Sequence, residues 1–309
     1  MAKAAVPDPG TLFVVPTPIG NLRDITLRAI DVLRSAEVVA AEDTRKARAL
    51  LRALDIKANL VSYYDFNENS RSLQLVRMLA TGKDVALIAD AGTPLVNDPG
   101  YRVVTAAIAA GVRVCPLPGP SAPLTALVGS GLPVQRFEYA GFLPRKPAAR
   151  RAAAAELADV PATLIFFEAP HRLRETLADL RDVLGDRNAA LACNLTKANE
   201  EYVRGPLSQI AGEFEAGREV GGEYTLLVAG AQQRDTSASE ALADRIAQAL
   251  FAHGVVPHTV RDVVRQVSGL PRNRVYERVE MAQRAARAPD AAGAGPPTEM
   301  LAAPEPDEG

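Results

Sequence analysis

Two short apolar runs that each end in a glycine- and proline-rich loop lie in the middle of the sequence. Residues 85–89 lead into the loop 90–94, and residues 112–115 lead into the loop 116–120. Short apolar runs are typical of buried strands, and Gly/Pro clusters directly after them are typical of loops at the carboxyl ends of those strands. Because open α/β sheets bind ligands outside these ends, the pattern predicts a ligand held largely by backbone. Two ordinary tight turns are the alternative interpretation.

The same succession of strand, loop and helix occurs throughout residues 11–120. Three further apolar runs each precede an amphipathic stretch: 12–15 before 27–35, 38–41 before 45–54, and 60–63 before 70–80. The first of them ends in a third loop of this kind, residues 16–21. Repeated alternation of strand and helix predicts a mostly parallel sheet covered on both faces, and hence an N-terminal α/β domain.

Residues 121–231 continue with both element types. The predicted elements, in order, are a helix at 121–130, strands at 137–142 and 163–167, a helix ending at 184, a strand at 189–195, a helix at 207–214 and a strand at 224–229. The pattern predicts a second α/β domain with more antiparallel character, so the fold class is α/β with two such domains.

Past a polar linker the pattern becomes helical. Residues 240–252 are amphipathic, and 260–267 with 272–283 are typical of a helix-turn-helix hairpin, in which Pro271 starts the second helix. We predict a helical extension at 239–284, then a disordered tail at 285–309 rich in Ala, Gly, Pro and acid. The outer face of the hairpin indicates either phosphate binding or docking of the helix pair. Its arginines are Arg261, Arg265, Arg272, Arg274 and Arg278.

Composition and missing motifs exclude several classes of protein. The 309 residues carry a formal net charge of -2, so the chain as a whole is not a polycation made for nucleic acid. The sequence has no Gly-x-x-x-x-Gly-Lys-Ser/Thr loop, no Gly-x-Gly-x-x-Gly after its first strand and no Gly-x-Ser-x-Gly elbow. Neither a nucleoside triphosphatase nor a dinucleotide-dependent dehydrogenase is therefore supported.

The sequence shows neither a targeting segment nor a metal-binding pattern. The first ten residues lack the apolar core of a signal peptide, and no run approaches the roughly 20 apolar residues of a membrane helix. Two cysteines and three histidines form no disulfide framework and no ligand set. We expect a cytoplasmic protein without membrane contact and without a metal.

Charged residues directly after buried strands are candidates for chemistry. Glu42 and Asp43 follow one strand, where acid at the start of the next helix is the competing explanation. Glu168 and His171 follow the strand at 163–167 and suit acid–base work, although Glu168 is also placed to cap a helix. A basic cluster on a proline-bounded loop predicts an anion-contacting surface, with a solvated helix start as the alternative. It consists of Arg145, Lys146, Arg150 and Arg151.

Several motifs in one order closely resemble those of a known family. They are the runs at 15–26, 41–45, 89–101, 116–122, 168–172 and 195–197, which read VPTPIGNLRDIT, AEDTR, ADAGTPLVNDPGY, PLPGPSA, EAPHR and LTK. The chain resembles the ribosomal RNA small subunit methyltransferase I family, a branch of the tetrapyrrole methylase superfamily. The resemblance spans roughly residues 11 to 283.

The resemblance implies a fold and a reaction. The superfamily has two α/β domains with S-adenosylmethionine in the cleft between them, and this family forms homodimers. The implied reaction is 2'-O-methylation of a cytidine in the decoding region of 16S rRNA within the small ribosomal subunit. By position, the donor-binding residues are Pro16, Pro18, Gly20, Asp90, Gly92, Thr93, Pro94, Ser121 and Ala122, with Phe167 and Thr225 in the second-domain wall.

A ribose hydroxyl is a poor nucleophile and benefits from a base or a hydrogen-bond acceptor. Glu42, Asp43, Glu168, His171 and Lys197 are the candidates, and our hypothesis places Glu168 or His171 on the hydroxyl. The residues expected to hold RNA phosphates are Arg45, Arg145, Lys146, Arg150, Arg151 and Arg172.

Two departures from the family pattern motivate rival functions. Family members usually have His where this chain has Phe66, and Arg-Glu where it has Cys193 and Asn194. A non-catalytic rRNA-binding assembly factor is therefore one rival. A precorrin-type tetrapyrrole methyltransferase is the other, but such enzymes typically carry Gly-x-Gly-Pro-Gly-Asp at the first loop, which residues 16–21 lack.

Overall fold

Five parallel strands form the first sheet of the computed structural model, which describes residues 8–218, 221–232 and 237–287. The strands are β1 (Thr11–Val14), β2 (Val38–Ala41), β3 (Leu60–Ser62), β4 (Val85–Ile88) and β5 (Arg113–Pro116). Their order in the sheet is β3-β2-β4-β1-β5, and every neighbouring pair is parallel. The carboxyl ends of the strands therefore meet at one edge of the sheet, as the sequence predicts.

Two helices cover each face of this sheet. They are α1 (Leu27–Ser35), α2 (Thr44–Ala53), α3 (Glu68–Ala80) and α4 (Tyr101–Ala109). α1 and α2 share one hydrophobic core with the sheet, and α3 and α4 share the core on the opposite face. Asp43 caps α2 by accepting a hydrogen bond from the amide of Arg45, so this helix starts directly behind β2.

The second sheet is mixed, as predicted. Its strands are β6 (Phe137–Phe142), β7 (Thr163–Glu168), β8 (Asn188–Cys193), β9 (Glu201–Pro206) and β10 (Tyr224–Val228). The order is β6-β7-β10-β8-β9, with β6 and β7 parallel and the other pairs antiparallel. Strand β9 was not expected from the sequence, which is polar there.

One helix covers one face of the second sheet, and three cover the other. The helices are α5 (Ala122–Ser130), α6 (Pro147–Glu156), α7 (Leu173–Leu184) and α8 (Leu207–Glu215). α6, α7 and α8 pack on the face that carries Phe166, whereas α5 packs on the face that carries Ile165, together with Ile19 from the first sheet's loops. Both sheets belong to one compact unit ending at Ala231. The predicted domain boundary at 120 stays a prediction.

Residues from Gln232 onward form a separate unit. Its helices are α9 (Ser237–Ala252), α10 (Pro257–Ser268) and α11 (Arg272–Arg287), which confirm the predicted helical extension. Ala243, Val260 and Val279 are among the residues of their shared core. Because α11 runs to Arg287, the first three residues of the predicted disordered tail are helical, and the remainder, 288–309, lies outside the described residues.

Two arginines of the predicted outer face of the hairpin point towards α9 instead. Arg274 Nη2 lies 3.0 Å from Glu240 Oε1, and Arg278 Nη2 lies 2.6 Å from Asp244 Oδ2. These ion pairs tie α11 to α9, so we correct the prediction that both arginines face a phosphate or a partner.

Candidate active site

A cavity of about 370 Å³ lies between the carboxyl edge of the first sheet and the second sheet. Small-molecule sites are typically ~300–1,000 Å³, so this cavity is of ligand size. Its lining consists of Ile19, Ala91, Gly92, Thr93, Val96, Asn97, Asp98, Ser121, Ala122, Pro123, Phe142, Phe167, Glu168, Ala169, Pro170, Leu195, Gly222, Glu223, Tyr224 and Thr225. Most of these side chains are apolar or small, and the polar groups are few.

Hydrogen bonds join the three loops that sequence analysis singled out. The amides and carbonyls of Thr17 and Gly92 exchange two bonds of 2.9 Å, and Thr93 Oγ1 donates to the carbonyl of Pro120 over 2.9 Å. Gly92 has φ +79, and a Cβ there would lie 3.3 Å from Ile19 Cγ2. Glycine therefore both permits the backbone turn and leaves room at the cavity wall.

Neighbouring strands of the second sheet supply the opposite wall. Phe167 on β7 pairs in register with Thr225 on β10. The ring of Phe167 packs against those of Tyr139 and Phe142, at centroid distances of 5.3 Å and 5.6 Å. This aromatic wall can hold a flat apolar group.

Six of the eleven predicted donor-binding residues line the cavity: Gly92, Thr93, Ser121, Ala122, Phe167 and Thr225. The other five are not among the lining residues, and their donor-binding roles stay predictions: Pro16, Pro18, Gly20, Asp90 and Pro94.

Local contacts occupy three of the residues that are not in the lining. Pro16 packs on the Gly119 backbone, and Gly20 packs against the carbonyl of Leu195. Asp90 accepts hydrogen bonds from the amide of Asp43 at 3.1 Å and from Lys46 Nζ at 2.8 Å.

Glu168 is part of the cavity lining, but its carboxylate is buried and turned away from the cavity, so its catalytic role stays a prediction without support from the geometry. Alternate residues of a strand face opposite sides, so Glu168 shares the Phe166 face, while Phe167 faces the cavity. Its side chain is 0% exposed. Thr176 Oγ1 donates to one carboxylate oxygen over 2.5 Å, and the Ala169 amide donates to the other over 2.8 Å. Glu168 therefore fixes the start of α7.

The other two predicted catalytic residues lie outside the lining. His171 is exposed just beyond Pro170. Lys197 Nζ lies 3.1 Å from Glu223 Oε1, a residue of the cavity rim. Their catalytic roles stay predictions.

Asp98 is the acidic residue that sequence analysis missed. It lines the cavity, and its pKa is raised to about 7, chiefly because it is partly buried and also because Glu42, Asp90 and Asp65 are nearby negative charges. Burial, with Asp98 nearby, raises the pKa of Tyr139 to about 12. The Tyr139 hydroxyl is buried and has no hydrogen-bond partner among the described residues. Asp98 belongs to the motif at 97–100, which from the sequence alone is typical of a turn.

Ion pairs at the carboxyl edge neutralise part of its acidic charge. Arg45 Nη2 lies 2.7 Å from Asp43 Oδ2, and this hydrogen-bonded pair holds the pKa of Asp43 well below its usual range. The hydrogen bond to Asp90 raises the pKa of Lys46. Burial and the neighbouring Asp90 raise the pKa of Glu42. The Arg45 side chain is 86% exposed, so it remains accessible beside the cavity.

The basic cluster at the start of α6 contains both unpaired residues and residues that form ion pairs within the protein. Arg145 and Lys146 are exposed and have no acidic partner among the described residues. Arg151 is half-exposed and pairs with Asp182 Oδ2 at 2.8 Å.

Two of the predicted RNA-binding arginines are used inside the protein, so we correct their assignment. Arg150 is 2% exposed, and its Nε lies 2.7 Å from Asp179 Oδ2. Arg172 Nη2 donates to the carbonyls of Leu143 and Pro144. Both guanidinium groups hold neighbouring segments together and are not available to a phosphate.

The departures from the family pattern have different structural settings. Phe66 is 97% exposed and packs edge-on against Tyr64. Cys193 is buried in the core under α7 and α8. Asn194 Oδ1 accepts a hydrogen bond from the amide of Glu223 over 3.2 Å, so it supports a loop of the cavity wall.

A family model described as Tetrapyrrole (Corrin/Porphyrin) Methylases matches residues 11–211, from the start of β1 into α8. The chain belongs to the tetrapyrrole methylase family. This membership confirms the predicted fold class, and it makes the protein a methyltransferase. In the described part of this tetrapyrrole methylase, no helix is long and apolar enough to cross a membrane.

Curated relatives of this methylase carry one name, ribosomal RNA small subunit methyltransferase I. The relative from Micromonospora olivasterospora is 58% identical over 273 residues, covering 88% of this chain and 87% of the relative. The one from Escherichia coli O157:H7 is 46% identical over 235 residues, or 74% of this chain and 82% of the relative. These matches confirm the resemblance identified from the motifs.

Solved structures share the fold at lower identity. A uroporphyrin-III C-methyltransferase from Thermus thermophilus, in complex with S-adenosylhomocysteine, has a TM-score of 0.52 and 23% identity, covering 71% of this methylase and 97% of that chain. A diphthine synthase has a TM-score of 0.54 and 16% identity, covering 71% and 90%. At these identities the likeness concerns the fold alone.

Proposed function

We propose that this methylase transfers a methyl group from S-adenosylmethionine to the ribose 2'-oxygen of a cytidine in the decoding region of 16S rRNA. In this proposal the enzyme is a cytoplasmic homodimer that acts on the small ribosomal subunit. The observation that carries the proposal is the 58% identity, over 88% of the chain, to a relative named ribosomal RNA small subunit methyltransferase I. The cavity between the sheets supports it independently.

The cavity suits the donor in shape and charge. Phe167, Leu195 and Ile19 offer an apolar surface for the adenine ring, and the Gly92–Thr93 backbone offers polar groups beside it. When bound, S-adenosylmethionine supplies an electrophilic methyl group on a sulfonium cation. Asp98 places a carboxylate in the same wall, which favours a cationic ligand.

Asp98 is also our candidate for the proton acceptor. A ribose hydroxyl loses its proton when its oxygen is methylated, and a base with a pKa near the operating pH is the most effective acceptor. The pKa of Asp98, about 7, meets this condition, whereas Glu168 is turned away from the cavity. Holding the hydroxyl in line with the methyl group supplies much of the remaining rate.

Exposed cations near the cavity support an RNA substrate. Arg45 lies at its first-sheet edge, and Arg145 and Lys146 follow β6, whose last residue, Phe142, is in the lining. Such side chains bind phosphates without reading sequence. We retain Arg145 and Lys146 as RNA contacts, and Arg45 and Arg151 as weaker ones because each is paired with a carboxylate.

The test uses purified full-length protein, S-adenosylmethionine labelled on its methyl group, and small subunits from a strain that lacks the modification. We expect label on one ribose 2'-oxygen in the decoding region. Label on a base, or on a different region of the RNA, contradicts the proposed site. Donor binding without any labelled RNA supports a non-catalytic rRNA-binding factor, and methylation of a precorrin-type substrate supports the tetrapyrrole alternative.

A further inference from the structure

A second cavity, of about 470 Å³, lies along α2 and the segment that leads from it to β3. Three cationic side chains line it, Arg48, Arg52 and Lys57, with Asp55 as the single carboxylate. All three cations are exposed, and within the described part of the chain none has an acidic partner. These three cations and one carboxylate around a concave surface leave an excess of positive charge, which makes the surface suited to an anion.

The cations form a continuous stripe that begins at the active-site edge. Arg45, Arg48 and Arg52 are spaced i, i+3 and i+7 on α2, so they lie on one face of the helix. At 1.5 Å rise per residue, the stripe extends over about 10 Å from Arg45 to Arg52. Ala47 and Leu51 of α2 are buried, whereas the three arginines are exposed. The charged face is therefore presented to solvent.

The stripe is physically linked to the first cavity. The Asp43 amide, at the cap of α2, donates to Asp90 Oδ1 over 3.1 Å, and Lys46 Nζ lies 2.8 Å from Asp90 Oδ2. Asp90 directly precedes Ala91, which lines the first cavity. A strand of RNA that places one ribose in that cavity can therefore continue along α2.

We propose that Arg48, Arg52 and Lys57 bind successive phosphates of the RNA strand next to the methylated nucleotide. This inference rests on the proposed function and adds a surface that the active site does not include. Cationic side chains on a helix face recognise backbone phosphates whatever the sequence, and their contacts make binding depend on salt. The alternative for Arg52 is a structural role, because a cation in the last turn stabilises a helix. If Arg52 had only this structural role, replacing it would not change the salt dependence of RNA binding.

The experiment measures binding of the full-length protein to small subunits and to a protein-free 16S rRNA fragment over a range of salt concentrations. For the variant with Arg48→Gln, Arg52→Gln and Lys57→Gln, we expect weaker binding. The slope of log K against log salt should fall by about 2, since each single-strand phosphate contact contributes roughly 0.7. We also expect the KM for subunits to rise several-fold with kcat and donor affinity unchanged.

Arg77→Gln is the matched control for Arg52→Gln. Both arginines are exposed and occupy the last turn of their helices, but Arg77 is on α3, which covers the opposite face of the first sheet. Arg52→Gln should lower the slope by roughly 0.7 and Arg77→Gln should leave it unchanged. Thermal unfolding checks that both variants are folded.

The outcomes separate this inference from the proposed function. If the triple variant binds both RNAs with wild-type affinity and slope, the inference is wrong, whether or not the wild type methylates. If binding weakens only for assembled subunits and not for the free RNA, the surface binds a ribosomal protein and the inference is also wrong. If the variant behaves as expected but the wild type places no methyl group on ribose, the RNA surface stands and the proposed reaction fails.

Discussion

Asp98 gives the lining of the cavity a carboxylate whose pKa is raised to about 7. If it accepts the proton of the ribose hydroxyl, Asp98→Asn removes the base while keeping the size of the side chain. We expect the single-turnover rate of methyl transfer to fall by about 10²–10⁴-fold, the usual contribution of a general base. Donor affinity, measured by calorimetry, should change far less. A variant that keeps more than a tenth of the wild-type rate contradicts the role.

The pKa of Asp98 also predicts how activity varies with pH. Because its pKa is about 7, the carboxylate is mostly protonated at pH 6 and mostly ionised at pH 8. We expect kcat/KM to rise with pH up to about 7 and then to level off. The measurement is a pH–rate profile of wild type and Asp98→Asn under conditions in which both remain folded. The residual activity of the variant should have lost this rise, and a rise that persists in it assigns the titration to another group.

At the level of secondary-structure elements, α6 is fastened to α7 by a buried ion pair. Arg150 donates from Nε to Asp179 over 2.7 Å and from Nη2 to Glu175 over 3.2 Å. Arg150→Met leaves the largely buried Asp179 with only the longer contact to Arg151 Nη1, at 3.5 Å, and we expect the free energy of unfolding to drop by about 3 kcal/mol. Urea denaturation measures the difference.

The neighbouring Arg151 provides the control for this prediction. It is 48% exposed, pairs with the exposed Asp182 at 2.8 Å, and makes a longer contact of 3.5 Å to Asp179, so it tests the exposed side of the same cluster. Arg151→Gln should cost less than about 1 kcal/mol, because exposed pairs are screened by solvent. If Arg150→Met and Arg151→Gln lower the free energy of unfolding equally, the stabilisation by Arg150 does not depend on its burial.

The elements that the sequence predicted well are those with strong apolar periodicity. The strands of the first sheet and the helices of the C-terminal unit occur where their apolar patterns predict them. Burial determines both the apolar pattern and the position of the element, so one can be read from the other. β9 was missed because Glu201–Pro206 is polar and lies at the sheet edge, where a strand buries little.

The site was harder to predict because side-chain direction depends on the exact end of a strand. Extending β7 by one residue, to Glu168, turns its carboxylate away from the cavity. Arg150 looked like part of a basic surface because its partner Asp179 is distant in sequence. Asp98 was missed because its motif, 97–100, is typical of a turn, and the sequence does not show that the side chain is partly buried in the folded protein.

At the level of the whole molecule, α5 connects the cavity between the sheets to an exposed apolar surface. The start of the helix lines the cavity through Ala122. On its exposed face, Leu124 and Val128 are 50% and 77% exposed, and Val134 and Phe137 follow at 46% and 45%. A group of exposed apolar side chains is typical of a protein–protein interface. It supports the proposed homodimer and marks α5 as the element to test.

Val128→Glu should therefore convert the dimer to a monomer, because a charge at the centre of an apolar interface is left desolvated. Light scattering on the wild type should give twice the 32.8 kDa of the chain, and on the variant the single-chain mass. Val267→Glu is the matched control, since Val267 is 55% exposed on α10 and outside this face. A monomeric wild type refutes the dimer. A Val128→Glu protein that stays dimeric places the interface elsewhere, and the link between subunit contact and donor cavity through α5 is then wrong.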